Sequence, residues 1–108
     1  MLEQIYSYSL GDIKNIEKTV NDDHVNINHM IFPKGSGLPE HYSNSNVYMI
    51  IIQGCLSLKL DDQEIHEYPS GQIIYIPYHA KMNVNNFHDD ILELFVVKSP
   101  NPKYYKGQ

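Results

Sequence analysis

Cysteine is almost absent from this chain. Cys55 stands alone, so no internal disulfide is possible. A lone thiol fits a reducing compartment. Basic clusters are missing too: eight basic residues face thirteen acidic ones, for a formal net charge of -5. The nearest approach to a cluster is Lys103 with Lys106, close to the end. A phosphate backbone would meet repulsion instead of releasing counterions, which argues against nucleic acid as a partner. The longest apolar run, residues 47–52, is far short of a bilayer span. Residues 1–10 carry Glu3 and lack the basic start and apolar run of a signal peptide. The expectation is a cytoplasmic protein with no membrane partner. Internal repeats, low-complexity segments and convincing helical periodicity are also absent.

What the chain does have is an ordinary globular balance, 42% apolar and 19% charged, over 108 residues, the size of one domain. An abundance of Asn, Ile, Tyr and Lys hints at an AT-rich coding sequence, as in a low-GC bacterium. Short β-type runs recur between turn residues, which is the all-β pattern. Residues 16–20 and 25–32 flank Asn21-Asp22-Asp23, a hairpin turn, and Pro33, Gly35, Gly37 and Pro39 then open a loop. Residues 47–53, 71–77 and 91–97 read as apolar strands, while Leu56, Leu58 and Leu60 alternate with Ser57 and Lys59.

At Gly35 the spacing becomes specific. Five residues separate Gly35 from His41, and Gly54 follows at the end of the next strand. Five residues separate Gly71 from Pro77, with Asn86 beyond. This resembles the two motifs of the cupin family over about half the chain, from Gly35 to Asn86. The resemblance implies a double-stranded β-helix, or jelly-roll barrel, with residues 1–24 as N-terminal strands or a dimer arm, 25–98 as the barrel and 99–108 as a C-terminal tail. In that family two His and a Glu from the first motif and a His from the second hold a divalent metal. Here His41 occupies the first position, Ser43 the second, Val47 that of the Glu and Met82 that of the last His; His79 replaces the second motif's inner Gly. One ligand of four remains, and iron or manganese chemistry wants three or more N/O donors. The expectation is therefore no cofactor. The alternative is one divalent transition metal held by rearranged ligands, with His41, His79 and His29 as the fallback set. His24, His66 and His88 sit near turns and carry no assigned role, and Cys55 should alternate away from Leu56.

In the family register, strand parity points Val47, Met49 and Ile51 inward, with Met82, Val84 and Asn86. The expected ligand pocket is His41, Ser43, Val47, Met49, Met82 and Asn86, apolar with a few polar points and a buried His41 as anchor. Such a pocket suits a small organic molecule. The competing reading is that Val47, Met49 and Met82 collapse together as core. Ser43 near His41 lacks an orienting carboxylate for nucleophilic catalysis. Glu93, the charge inside the last strand, is expected to face outward. The function expected is metal-free binding of a small molecule in a sensor or accessory role. A metal-dependent dioxygenase or isomerase and a structural dimerisation module are the alternatives. Residues 47–52 are apolar on both faces, so Tyr48, Ile50 and Ile52 are expected to form a homodimer interface.

Overall fold

The computed structural model describes residues 1–105; residues 106–108, with Lys106 and the end of the expected tail, lie outside them. The described residues form nine strands in order: β1 (Asn15–Asn21), β2 (Asn26–Phe32), β3 (His41–Tyr42), β4 (Val47–Gln53), β5 (Cys55–Leu60), β6 (His66–Pro69), β7 (Ile73–Ile76), β8 (Lys81–Asn85) and β9 (Leu92–Lys98). One short 3-10 helix, Pro102–Tyr105, closes the described chain. All pairings are antiparallel. They build a five-stranded sheet in the order β1-β2-β9-β4-β7 and a four-stranded sheet in the order β3-β8-β5-β6. The two close face to face as a double-sheet barrel. No helix among the described residues is long and apolar enough to cross a membrane.

Period-two alternation decides which side chains meet between the sheets. Val47, Met49 and Ile51 of β4, Leu56 and Leu58 of β5, Met82 and Val84 of β8, and Leu92, Leu94 and Val96 of β9 are buried together with Met30 and Phe32 of β2. Each side chain of this size stabilises the fold by roughly 1.5–3 kcal/mol when fully buried. Gly54 at the β4–β5 corner has φ +80, and a Cβ there would stand 2.2 Å from the carbonyl oxygen of Ile91. Only glycine satisfies both the left-handed backbone and the close approach. His79, where the family motif has its inner Gly, also has positive φ (68°). It is held by its N–H to the Ser43 carbonyl (3.0 Å) and by stacking on Tyr42.

Residues 1–14 form no strand, so the expected N-terminal strands reduce to β1, which pairs with β2 of its own chain. The preceding arm lies on the outer face of the five-stranded sheet. There the Tyr8 ring packs on His29 (4.7 Å) and Phe95 (4.9 Å), and the Ser9 N–H donates to Glu17 (3.0 Å).

Candidate functional site

One end of the barrel opens into a cavity of roughly 310 Å³. Its lining gathers five of the six residues expected there: His41, Ser43, Val47, Met49 and Met82, joined by Met30 and Val96. Val47, Met49 and Met82 thus belong to the core and still wall an open space; they do not close it. Asn86 is not part of the lining. It faces inward but sits at the opposite end, fully buried, donating to the carbonyls of Phe32 and Asp90 (both 2.8 Å) and accepting the His88 N–H (3.0 Å). Its amide is fully spent on holding the loop after β8.

His41 lines the mouth and is exposed, not buried. Its Nδ1 lies 2.8 Å from the Pro39 carbonyl. A carbonyl only accepts, so Nδ1 carries the proton there and Nε2 is left as the acceptor of a neutral ring. Ser43 Oγ donates to the Pro77 carbonyl (2.6 Å) and accepts the Ala80 N–H (2.8 Å). Its hydroxyl proton is therefore committed to a backbone clasp between the loop after β3 and the turn before β8.

The residue that sequence reasoning missed is Lys98. It is the last residue of β9, paired with Val47 on one side and Asn26 on the other, and it lines the cavity. The signal was present: Leu92, Leu94 and Val96 face inward, and the same parity carries Lys98 inward one step beyond the apolar run. Its side chain is half-buried, and burial, with a smaller contribution from the nearby charge of Lys18, pushes its pKa below the ordinary lysine value. Among the described residues no carboxylate or hydrogen-bond acceptor pairs with its Nζ. Asn28, on the same inner face and cross-strand from Val96, keeps a buried Oδ1 without a partner. The cavity is thus an apolar chamber with an unneutralised cation at its edge.

The sequence matches no family model. An uncharacterized protein of Methanocaldococcus jannaschii is 49% identical over 104 residues, which cover 95% of this chain and 90% of its own. Its crystal structure is that of an RmlC-like cupin family protein with a double-stranded β-helix fold. It matches with a TM-score of 0.93 and 48% identity over 96% of each chain. The chain belongs to the RmlC-like cupins. Two further structures show the same fold at lower identity. A cupin superfamily protein of Desulfitobacterium hafniense has a TM-score of 0.72 and 15% identity over 86% of this chain and 83% of its own. The polyketide cyclase RemF of Streptomyces resistomycificus has a TM-score of 0.70 and 18% identity over 78% and 63%.

The metal that the cupin family implies does not fit this cupin's interior. At the four ligand positions stand an exposed imidazole, a hydroxyl committed to two backbone groups, and the buried side chains of Val47 and Met82. The fallback set does not converge either. His41 is at the mouth and His79 is in the turn, stacked on Tyr42. His29 points to the outer face of the five-stranded sheet, where its Nε2 meets Glu93 at 2.6 Å. Glu93 accordingly faces outward, as expected, because its cross-strand partners Ile31 and Gln53 share that side.

Proposed function

We propose that this cupin binds a small organic anion, an apolar body carrying a carboxylate, in its barrel without a catalytic metal, in a sensor or accessory role. The observation that carries this reading is the unpaired, half-buried Lys98 at the edge of an apolar cavity. An ammonium drawn out of water without a partner costs free energy, and an incoming carboxylate offsets that cost. Met30, Val47, Met49, Met82 and Val96 accept the apolar body. His41 Nε2 at the mouth offers an acceptor for a hydroxyl or N–H on the same ligand. The cavity volume is at the low end of the roughly 300–1,000 Å³ seen for ligand pockets, which sets the ligand size as small.

The test is calorimetric titration with aromatic and short aliphatic monocarboxylates, each beside its neutral amide and its amine. Carboxylates should bind and the amides and amines should not. A hydrogen bond to a charged group contributes about 1.5–3 kcal/mol. Lys98→Met should therefore weaken carboxylate binding by roughly 10- to 150-fold. Amides binding as well as carboxylates, or a Lys98→Met variant of unchanged affinity, would overturn the reading.

A further inference from the structure

We propose that Cys55, Glu67 and His88 form a divalent-metal site, suited to zinc, on the outer surface of the four-stranded sheet. The site is separate from the barrel interior. Leu56 and Leu58 of β5 point into the core, so Cys55 and Ser57 between and beside them point out. Glu67 on β6 is the direct cross-strand partner of Ser57, and His88 comes over from the loop after β8. The Sγ, carboxylate and imidazole donor atoms all lie within 4.8 Å of one another.

Chemistry and geometry both favour zinc. Thiolate, imidazole and carboxylate are its usual protein ligands, and three of them leave a fourth tetrahedral position for water. With bonds of about 2.3 Å to sulfur and about 2.0–2.2 Å to nitrogen and oxygen, tetrahedral donors stand about 3.4–3.6 Å apart. Here Cys55 Sγ is 3.8 Å from Glu67 Oε2, and His88 Nε2 is 2.7 Å from the same oxygen. An ion entering between them needs His88 to retreat by less than about 1 Å, and its ring is half-exposed with room to do so.

Two of the three ligands are already positioned by buried polar groups. Ser57 Oγ, 1% exposed, donates to Glu67 Oε2 at 2.6 Å. Asn86, fully buried, accepts the His88 backbone N–H and so fixes the loop from which that ring reaches. Such supporting hydrogen bonds orient ligands before the metal arrives. Without metal, Glu67 collects hydrogen bonds from Ser57, His88 and the Cys55 thiol. On binding, the thiol proton leaves to solvent and the thiolate takes the metal. A neutral His88 shifts its remaining proton to Nδ1, so one proton is released per ion. The bound ion would staple the loop after β8 to the β5–β6 hairpin in a chain that has no disulfide.

Cobalt(II) reads such a site directly. Titrating the full-length, chelator-treated protein with Co²⁺ should give intense tetrahedral d–d bands in the visible and a thiolate-to-cobalt charge-transfer band in the near ultraviolet, saturating at one ion per chain. Zn²⁺ should displace the cobalt and bleach both. Cys55→Ser should lose the charge-transfer band, and His88→Gln and Glu67→Gln should each weaken binding at least tenfold. Lys98→Met should leave all of these unchanged, which separates the outcome from that of the barrel reading. His88 is on an exposed loop, so its variant keeps the test valid if Cys55→Ser fails to fold. Absence of the charge-transfer band in the native protein, or cobalt binding left unchanged by His88→Gln, overturns the site.

Discussion

Ser43 and Lys98 show how differently two polar residues at one cavity can be employed. Ser43 is spent on the fold: it accepts from the buried Ala80 N–H and donates to the Pro77 carbonyl. Ser43→Ala should leave that N–H without an acceptor and destabilise the domain by about 1–3 kcal/mol, read as a fall in denaturant midpoint. Lys98 is the reverse case. A lysine whose pKa is lowered on folding makes the folded state less stable while it is charged; that loss is recovered only as pH rises from its folded value toward the ordinary value of about 10.4. Lys98→Met should therefore raise stability at neutral pH while weakening carboxylate binding. Thermal unfolding checks it, and a variant less stable than the native protein would show that the lysine serves the fold. The position was readable from strand parity, since Leu92, Leu94 and Val96 already point the way. The convergence of Cys55, Glu67 and His88 was not, because their meeting depends on how β5, β6 and the loop after β8 are brought together, and no local pattern encodes it. Asn86 was read correctly as inward but assigned to the wrong end of the barrel, which facing alone does not distinguish.

Among the elements, the turn of the β1–β2 hairpin is organised from within by Asp22. The Asn101 side chain braces it from outside by donating to Asn21 Oδ1 and the Asp22 carbonyl. Asp22 Oδ1 accepts the backbone N–H groups of His24 and Val25, both at 2.9 Å, and these bonds hold its carboxyl below the usual carboxylate range. The Val25 bond is the larger cause. A carboxylate with a depressed folded pKa contributes stability that is complete above its unfolded value, about 3.9, and lost as pH falls through the lower folded one. Asp22→Asn keeps an acceptor oxygen and should flatten that acid-side loss. Asp22→Ala should weaken the hairpin at every pH, with earlier amide exchange in β1 as the readout. This turn was legible because Asn and Asp bond their own backbone locally. The long strands were legible for the same kind of reason: β2, β4 and β9 begin and end within about two residues of the expected runs. The two residues of β3 and the polar His66–Pro69 of β6 carry no alternation, so only their partners β8 and β5 define them.

For the whole molecule, the remaining question is what covers the outer face of β4 and β7. Cross-strand pairing puts Tyr48 beside Tyr75, with ring centroids 5.1 Å apart, and Ile50 beside Ile73. Val47, Met49 and Ile51 face the core, so the expected alternation holds and Tyr48, Ile50 and Ile52 share the outer side with a bulge near Ile52. The N-terminal arm, one expected cover, reaches His29 and Phe95 through Tyr8 on β2 and β9, leaving Tyr48, Ile52, Ile73 and Tyr75 exposed. A second copy of the chain suits this patch, because its paired tyrosines and isoleucines can be self-complementary about a two-fold axis. Such an interface should bury on the order of 1,000 Å² or more in total. Ile50 is half-buried within its own chain, so Ile50→Asp tests folding and association together. Ile73, 65% exposed, separates them. Ile73→Asp should change the stability of a monomer by no more than about 0.5 kcal/mol, yet it would place two unpaired charges in the buried interface of a dimer, each costing several kcal/mol. Sedimentation velocity should therefore show a dimer for the native protein at micromolar concentration and a folded monomer for Ile73→Asp. A native protein that sediments as a monomer, or an Ile73→Asp variant that stays dimeric, would remove this face as the interface.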